Sequence, residues 1–161
     1  MKTKILTRQA LVAAVYFAVT YLLRDISYGP VQFRVAEILN ILAWYNPMYR
    51  IGITAGCFLA NMYSNFGIYD MIFGTLHTFI SLTVMGKIRN VHFASTMPAF
   101  FSFIVTVGIS LASGSVAGFA VITAQIMLSE IVAVSVISVT LFKLLEKNPY
   151  MKNNVLNRTY L

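Results

Sequence analysis

Polar residues are sparse along this chain, and the apolar runs between them approach the thickness of a lipid bilayer. A membrane-crossing helix needs about 20 mostly apolar residues. With their flanks included, residues 8–23, 71–84, 94–111 and 119–145 are predicted to form such helices, the last being long enough to tilt. Residues 35–66 are also apolar, but Asn46-Pro47 interrupts them. Proline removes a backbone donor and turns the preceding residue away from helix. The stretch is therefore one kinked span or two short ones, and residues 35–45 would rise only about 17 Å as an α-helix.

Charge separates these two readings. With two short spans, six in all, and the N-terminus inside, one side holds Lys2, Lys4, Arg8, Arg50, Lys87, Arg89, Lys143, Lys147, Lys152 and Arg158. The other side holds Arg24 and Arg34 alone. Merging the two spans moves Lys87 and Arg89 outward and weakens the bias. The positive-inside rule thus selects six helices with both termini cytoplasmic: an all-α, multi-pass protein of the cell membrane, forming one domain over residues 1–161. The run after Lys2 and Lys4 continues to Leu23 without a small-residue cleavage pattern, so it is expected to be a retained first span.

Composition agrees. Only 11% of residues are charged and 58% are hydrophobic, with a mean hydropathy of +0.76, against about 25% charged in soluble domains. The net charge of +7, which in a soluble chain would suggest nucleic acid, is accounted for by loop bias. The single cysteine, Cys57, excludes an internal disulfide and any multi-cysteine metal site. It reads first as a small apolar residue.

Against this background the stretch Gly29-Pro30-Val31-Gln32-Phe33-Arg34-Val35-Ala36-Glu37-Ile38-Leu39-Asn40 stands out. Arg34 and Glu37 are spaced to pair at a helix start. Alternatively, Glu37, Asn40 and Trp44 recur at i, i+3 and i+7 on one face. A carboxylate, an amide and a large aromatic there would suit a flat, hydrogen-bonding heterocycle. Glu130 falls in the middle of the last apolar run, where a carboxylate costs about 3 kcal/mol. It should face the interior, towards a structural partner or a ligand. Asp70 has the position of an N-cap, a role compatible with lining a pocket. His77 shares its face and is either a packed, hydrogen-bonded residue or a ligand contact. Asn61 and Asn65 either read solute edges or cap the third helix. Ala10, Ala14 and Ala18 form a small-residue stripe on the first helix, for internal packing or for docking on another membrane protein.

The sequence has no Walker-type phosphate loop, HExxH pair, GxSxG elbow or metal cluster, so the chain does not hydrolyse ATP by itself. It also lacks a visible inverted repeat of broken helices.

Gly29 to Glu37, then Asn46-Pro47, Gly56-Cys57-Phe58-Leu59-Ala60-Asn61 and Asp70-Met71-Ile72-Phe73-Gly74-Thr75, taken in that order, resemble the QueT family. These are predicted substrate-binding S components of energy-coupling factor (ECF) importers, assigned to queuosine precursors. The resemblance implies a six-helix protein that binds its solute from outside. It implies as partners a transmembrane coupling subunit and two ATPases that use the ATP, with no cofactor on the chain itself. Ala10, Ala14 and Ala18 would face the coupling subunit, and the whole subunit would topple to deliver solute. In the second half Pro98-Ala99 and Ser129-Glu130 stand where the family tends to have an Asn-Ala pair after proline and Gly-Glu.

A 7-deazaguanine (preQ1, preQ0 or queuine) would offer N–H donors to a carboxylate and a carbonyl to an amide or Arg34. On this reading Arg34, Glu37, Asn40, Trp44, Asn61, Asp70, His77 and Glu130 bind substrate. The rivals are an S component for another vitamin such as thiamine, an intramembrane enzyme using Glu130 and His77, and an accessory subunit without a ligand.

Overall fold

The computed structural model describes residues 2–29 and 32–156. Pro30 and Val31 of the polar stretch and Arg158 of the basic set lie outside the described residues. Among the described residues, six principal helices follow one another: α1 (Lys2–Leu22), α2 (Val35–Tyr45), α3 (Tyr49–Asn61), α4 (70–87), α5 (Val91–Ser113) and α6 (Phe119–Leu145). Among the described residues there is no strand. Ile5–Leu22, Val91–Ser113 and Phe119–Leu145 are long and apolar enough to cross a membrane, and Val35–Tyr45 is a shorter apolar helix. Large apolar side chains such as Leu11, Leu22, Leu111, Val121 and Leu128 are exposed on these helices, as expected of a protein whose solvent is lipid rather than water.

The break at Asn46-Pro47 separates α2 from α3, as the proline requires. Asn46 Oδ1 accepts from Met48 N at 3.0 Å and closes the turn. From α1, Gln9 Nε2 donates to Met48 O at 2.7 Å and its Oε1 accepts from Gly52 N at 2.5 Å, occupying backbone groups at the start of α3. Beyond this point α1 and α3 cross closely. A Cβ placed on Gly56 would lie 2.7 Å from Ala13 O, so only hydrogen fits at that position.

Hydrogen bonds identify the two ends of the bundle. At one end Gln9 joins α1 to α3, Trp44 Nε1 donates to Ile88 O at 2.9 Å, Tyr45 OH donates to Glu146 at 3.3 Å, and Lys143 meets His92 at 2.9 Å. Arg8, Arg50, Lys87, Arg89, Lys143 and Lys147 belong to the helix ends gathered there. At the other end Tyr28 OH donates to Ala60 O at 2.5 Å and Asn65 Nδ2 donates to Tyr28 O at 3.1 Å. Arg24 and Arg34 lie on that side.

Three stretches depart from α geometry. Val35–Ile41 is 3-10 helix, and Asp70–Gly74 and Ile131–Ser138 are π-helical. The first packs against the last, where Ser138 Oγ donates to Ile38 O at 2.6 Å. Each departure carries or adjoins a buried carboxylate: Glu37, Asp70 and Glu130 respectively. Single π turns within helices often mark functional sites.

Candidate functional site

Interior polarity is concentrated towards the end of the bundle that holds Tyr28. Arg34, Glu37, Asn40, Asn61, Asp70, His77 and Glu130 are all buried, with Arg34 only 8% exposed and Glu130 only 7%. Hydrogen bonds join two pairs among them, Glu37 with Asn40 and Asn61 with Asp70, and Arg34 reaches the second pair through Cys57 Sγ. The 3-10 segment has three residues per turn, so Glu37 and Asn40 stack directly. Asn40 Nδ2 donates to Glu37 Oε2, while Tyr16 OH of α1 donates to Glu37 Oε1 at 2.5 Å. At the end of α3, Asn61 Nδ2 donates to Asp70 O at 3.0 Å. Ser64 Oγ donates to Asp70 Oδ2.

These bonds settle the orientation of both amides chemically. A carboxylate and a backbone carbonyl accept only, so the NH₂ groups of Asn40 and Asn61 must be the ends that point at them. Their oxygens then point elsewhere. Asn40 Oδ1, Asn61 Oδ1, Asp70 Oδ1 and Glu130 Oε2 are buried atoms without a hydrogen-bond partner. Buried acceptors of this kind are rare and call for a specific explanation.

Arg34 is the cation of the set. Its guanidinium lies within electrostatic range of the Tyr16 phenol, the Cys57 thiol and the Asp70 and Glu37 carboxylates. The expected Arg34–Glu37 contact pair does not form: among the described residues, the ion pair within 4.0 Å is the exposed Arg24–Asp25. Arg34 Nη1 instead makes a weak contact to Cys57 Sγ at 3.9 Å and sits 5.8 Å from the Tyr28 ring centre. The extended backbone at Arg34 (φ −94°, ψ 102°) turns it in a different direction from the helical residues after it. Glu130 and His77 both lie within the fields of Glu37 and Arg34.

A cavity of about 300 Å³ opens at this end, lined by Tyr28, Gln32, Asn65, Phe66, Ile109 and Ile126 among others. Ile126 is one turn before Glu130, and Gln32 is two residues before Arg34. Tyr28 lines the cavity, and the Arg34 guanidinium lies 5.8 Å from its ring centre. Tyr28 lies outside the membrane-length helices. Burial pushes its phenol pKa up, opposed by the neighbouring Arg34 guanidinium, so Tyr28 stays a neutral donor.

Other residues sit apart from these expectations. Asp70 makes no N-cap: the residue preceding the π turn is Tyr69, and the Asp70 carboxylate bonds Ser64 instead. His77 Nε2 donates to Pro98 O at 2.9 Å, where α5 tightens and Ser102 N bonds to Ala99 O. Trp44 is not brought to the polar set. The extra winding of the 3-10 segment rotates it about 60° from Glu37 and carries it about 12 Å along the axis. There its indole bonds Ile88 O and meets the Tyr45 ring edge-on at 4.9 Å. Substituting Trp44→Phe is accordingly expected to change ligand affinity by less than about twofold, measured by titration of the purified variant. Ala10, Ala14 and Ala18 are exposed, while Gln9, Ala13, Tyr16 and Thr20 make the more buried face of α1.

Tyr16 and Tyr28 escaped the sequence reading. Tyr16 is one of several aromatics in an apolar helix, and its only signal is its place one turn from Thr20 on the alanine-poor face. Tyr28 lies between helices without a pattern to mark it.

Helices long and apolar enough to cross a membrane, with a buried polar set among them, are the features of a membrane protein. The family model described as QueT transporter matches residues 6–147, and the chain belongs to that family of transporters. It is similar to the queuosine precursor transporter QueT of Lactococcus lactis subsp. cremoris (strain MG1363), with 40% identity over 118 residues, 68% of this chain and 69% of the relative. No solved structure matches the chain.

Proposed function

We propose that the chain is the substrate-binding membrane subunit of an ECF-type importer and that it binds a queuosine precursor, a 7-deazaguanine, from the outer side. The observation that carries this reading is the acceptor census. Besides six hydroxyls, the buried oxygens without a partner are those of Asn40, Asn61, Asp70 and Glu130, and the other ends of both amides and of Asp70 are tied to neighbours. A ligand that answers them must be rich in N–H donors. The guanine-like edge of a deazaguanine offers an amino group and ring N–H groups, together with one carbonyl for the Arg34 guanidinium. The 40% identity to a relative named for queuosine precursors supports the same reading.

In this proposal α1 to α6 are six spans with both termini cytoplasmic, and the basic end of the bundle is the inner one. Entry is through the cavity beside Tyr28. The exposed Ala10, Ala14 and Ala18 dock on the coupling subunit, since small residues let helices approach closely in lipid. The subunit topples against it while two ATPases supply the energy. His77 is tied to Pro98 O and shapes the wall from behind.

Titration of the purified protein in nanodiscs with deazaguanines is expected to show saturable binding with a Kd of about 1 µM or tighter, roughly −8 kcal/mol. Binding of a thiamine-like vitamin, with none of any deazaguanine, would keep the class and reject the substrate.

A further inference from the structure

We propose that the basic end of the bundle carries a site for one anionic phospholipid, with the phosphate on Lys143 and His92 and an acyl chain in the apolar groove that begins at Phe93. This site is separate from the buried polar set and does not depend on which solute the chain binds. It requires only that the protein is embedded in a bilayer.

The connection between α4 and α5 is held from both sides. Trp44 Nε1 donates to Ile88 O at 2.9 Å, and Asn90 Oδ1 accepts from His92 N at 2.9 Å and Phe93 N at 3.2 Å. Two consecutive side chains on this capped turn then serve the two ends of a lipid. His92 reaches α6, where it meets Lys143 at 2.9 Å. An ammonium only donates, so His92 Nε2 accepts and the ring's N–H lies on Nδ1. Lys143 gives one of its three N–H donors to the ring, and both side chains are exposed. Lys87 and Arg89, also exposed, flank Ile88 in the same connection. Glu146, the one carboxylate at that end, accepts from Tyr45 OH at 3.3 Å. A phosphate at this corner meets donors and positive charge together.

Phe93 belongs to a groove of about 480 Å³, formed with Val84 of α4, Met97 and Phe100 of α5, and Met127 and Ile131 of α6 among others. From Phe93 to Phe100 it follows α5 for about 10 Å, a fraction of the ~30 Å hydrocarbon core. These two rings are 61% and 63% exposed, so the groove opens at the surface that lipid covers. Any lipid chain can fill such a groove; the positive corner one residue from its end selects a lipid with a negative headgroup. Topology alone accounts for positive charge at this end. It asks for a number of charges, however, and not for a lysine–imidazole pair beside an apolar groove. The alanine stripe proposed for docking is on α1, which packs on α2 and α3, and the groove uses none of these helices.

The test is native mass spectrometry of the full chain in detergent, titrated with dioleoyl-phosphatidylglycerol or dioleoyl-phosphatidylcholine, which share both chains. The wild type is expected to retain one phosphatidylglycerol at least about fivefold more tightly than phosphatidylcholine. His92→Ala combined with Lys143→Ala should reduce that preference to less than about twofold, and Lys143→Arg should keep it. Arg8→Ala, which removes a like charge from α1 at the same end, should leave it intact. Thr96→Trp, which fills the groove, should weaken both lipids by about fivefold or more. Equal retention of the two lipids by the wild type overturns the inference without any variant. An equal fall in preference with Arg8→Ala also overturns it, because the preference then belongs to the charge of the whole end. So does loss of the preference in excess inorganic phosphate while Thr96→Trp retains lipid like the wild type, which would show an anion site without the groove. A dimer mass in place of retained lipid, abolished by Thr96→Trp, would assign the groove to a second copy of the chain and overturn it as well.

Discussion

Replacing Gly56 with leucine is expected to leave almost no monodisperse protein. The α1–α3 crossing is the reason. Even a single methyl at Gly56 would lie 2.7 Å from Ala13 O and 2.8 Å from Tyr16 Cβ, and one at Gly52 would lie 2.7 Å from Gln9 O. Two of these three obstacles are backbone, which moves only if a whole helix moves. Overpacking a tight core costs about 1–3 kcal/mol for modest insertions, so Gly56→Ala should lower the melting temperature by several degrees. Leucine should exceed the marginal stability of about 5–15 kcal/mol typical of a small protein or come close to it. The effect should also reach the site, because Tyr16 at this crossing holds Glu37, and Glu37 orients Asn40. Gly56→Ala protein that still folds should therefore bind ligand more weakly. Ala55, adjacent but exposed, provides the control: Ala55→Leu should elute and melt like the wild type. Size-exclusion chromatography in detergent with thermal melts measures both, and a wild-type profile for Gly56→Leu would show that the crossing is looser than drawn.

The sequence makes the helix order legible because its strongest signals are local and physical. Asn46-Pro47 breaks a run by removing a donor, and the split between α2 and α3 falls there. The basic residues sort to one end because successive helices alternate in direction. The buried polar set was legible in outline for a related reason: Glu37, Asn61, Asp70, His77 and Glu130 are costly inside an apolar run, and all five are buried.

What could not be read is how those residues are aimed. Nothing in Val35-Ala36-Glu37-Ile38-Leu39-Asn40-Ile41 marks it as 3-10 rather than α. The difference comes from packing against α6, where Ser138 takes the Ile38 carbonyl. That single change of winding stacks Asn40 on Glu37 and sends Trp44 away to Ile88. The π turns at Asp70–Gly74 and Ile131–Ser138 are likewise tertiary in origin. Isolated helical propensity would not place them, and they are where the carboxylates on α4 and α6 enter the set. The Arg34–Glu37 pair, one of the two readings that the spacing allows, fails for the same reason. Three-residue spacing brings Arg34 and Glu37 together only on a helix, and Arg34 precedes the helix in extended backbone.

Arg34→Ala is expected to abolish binding in practice, with a loss of about 100-fold or more. Arg34 is the buried cation among the described residues of the site, and it faces Glu37 and Asp70. Removing it takes away the donor fork proposed for the ligand carbonyl and leaves Glu37 and Asp70 without their countercharge. Stranding buried charge in this way costs about 3–5 kcal/mol, so the variant should also melt well below the wild type. Two further variants separate these effects. Arg34→Lys keeps the charge without the planar fork and should recover stability while binding stays weak by about tenfold or more. Arg34→Ala combined with Asp70→Asn should be more stable than Arg34→Ala alone, because one unbalanced charge is gone, yet it should still not bind. Such coupling is what a double-mutant cycle detects between residues sharing one electrostatic network. If the double variant is no more stable than Arg34→Ala, the two residues do not share a field. Arg34 would then be a rim residue, held by Tyr28 and Cys57 alone.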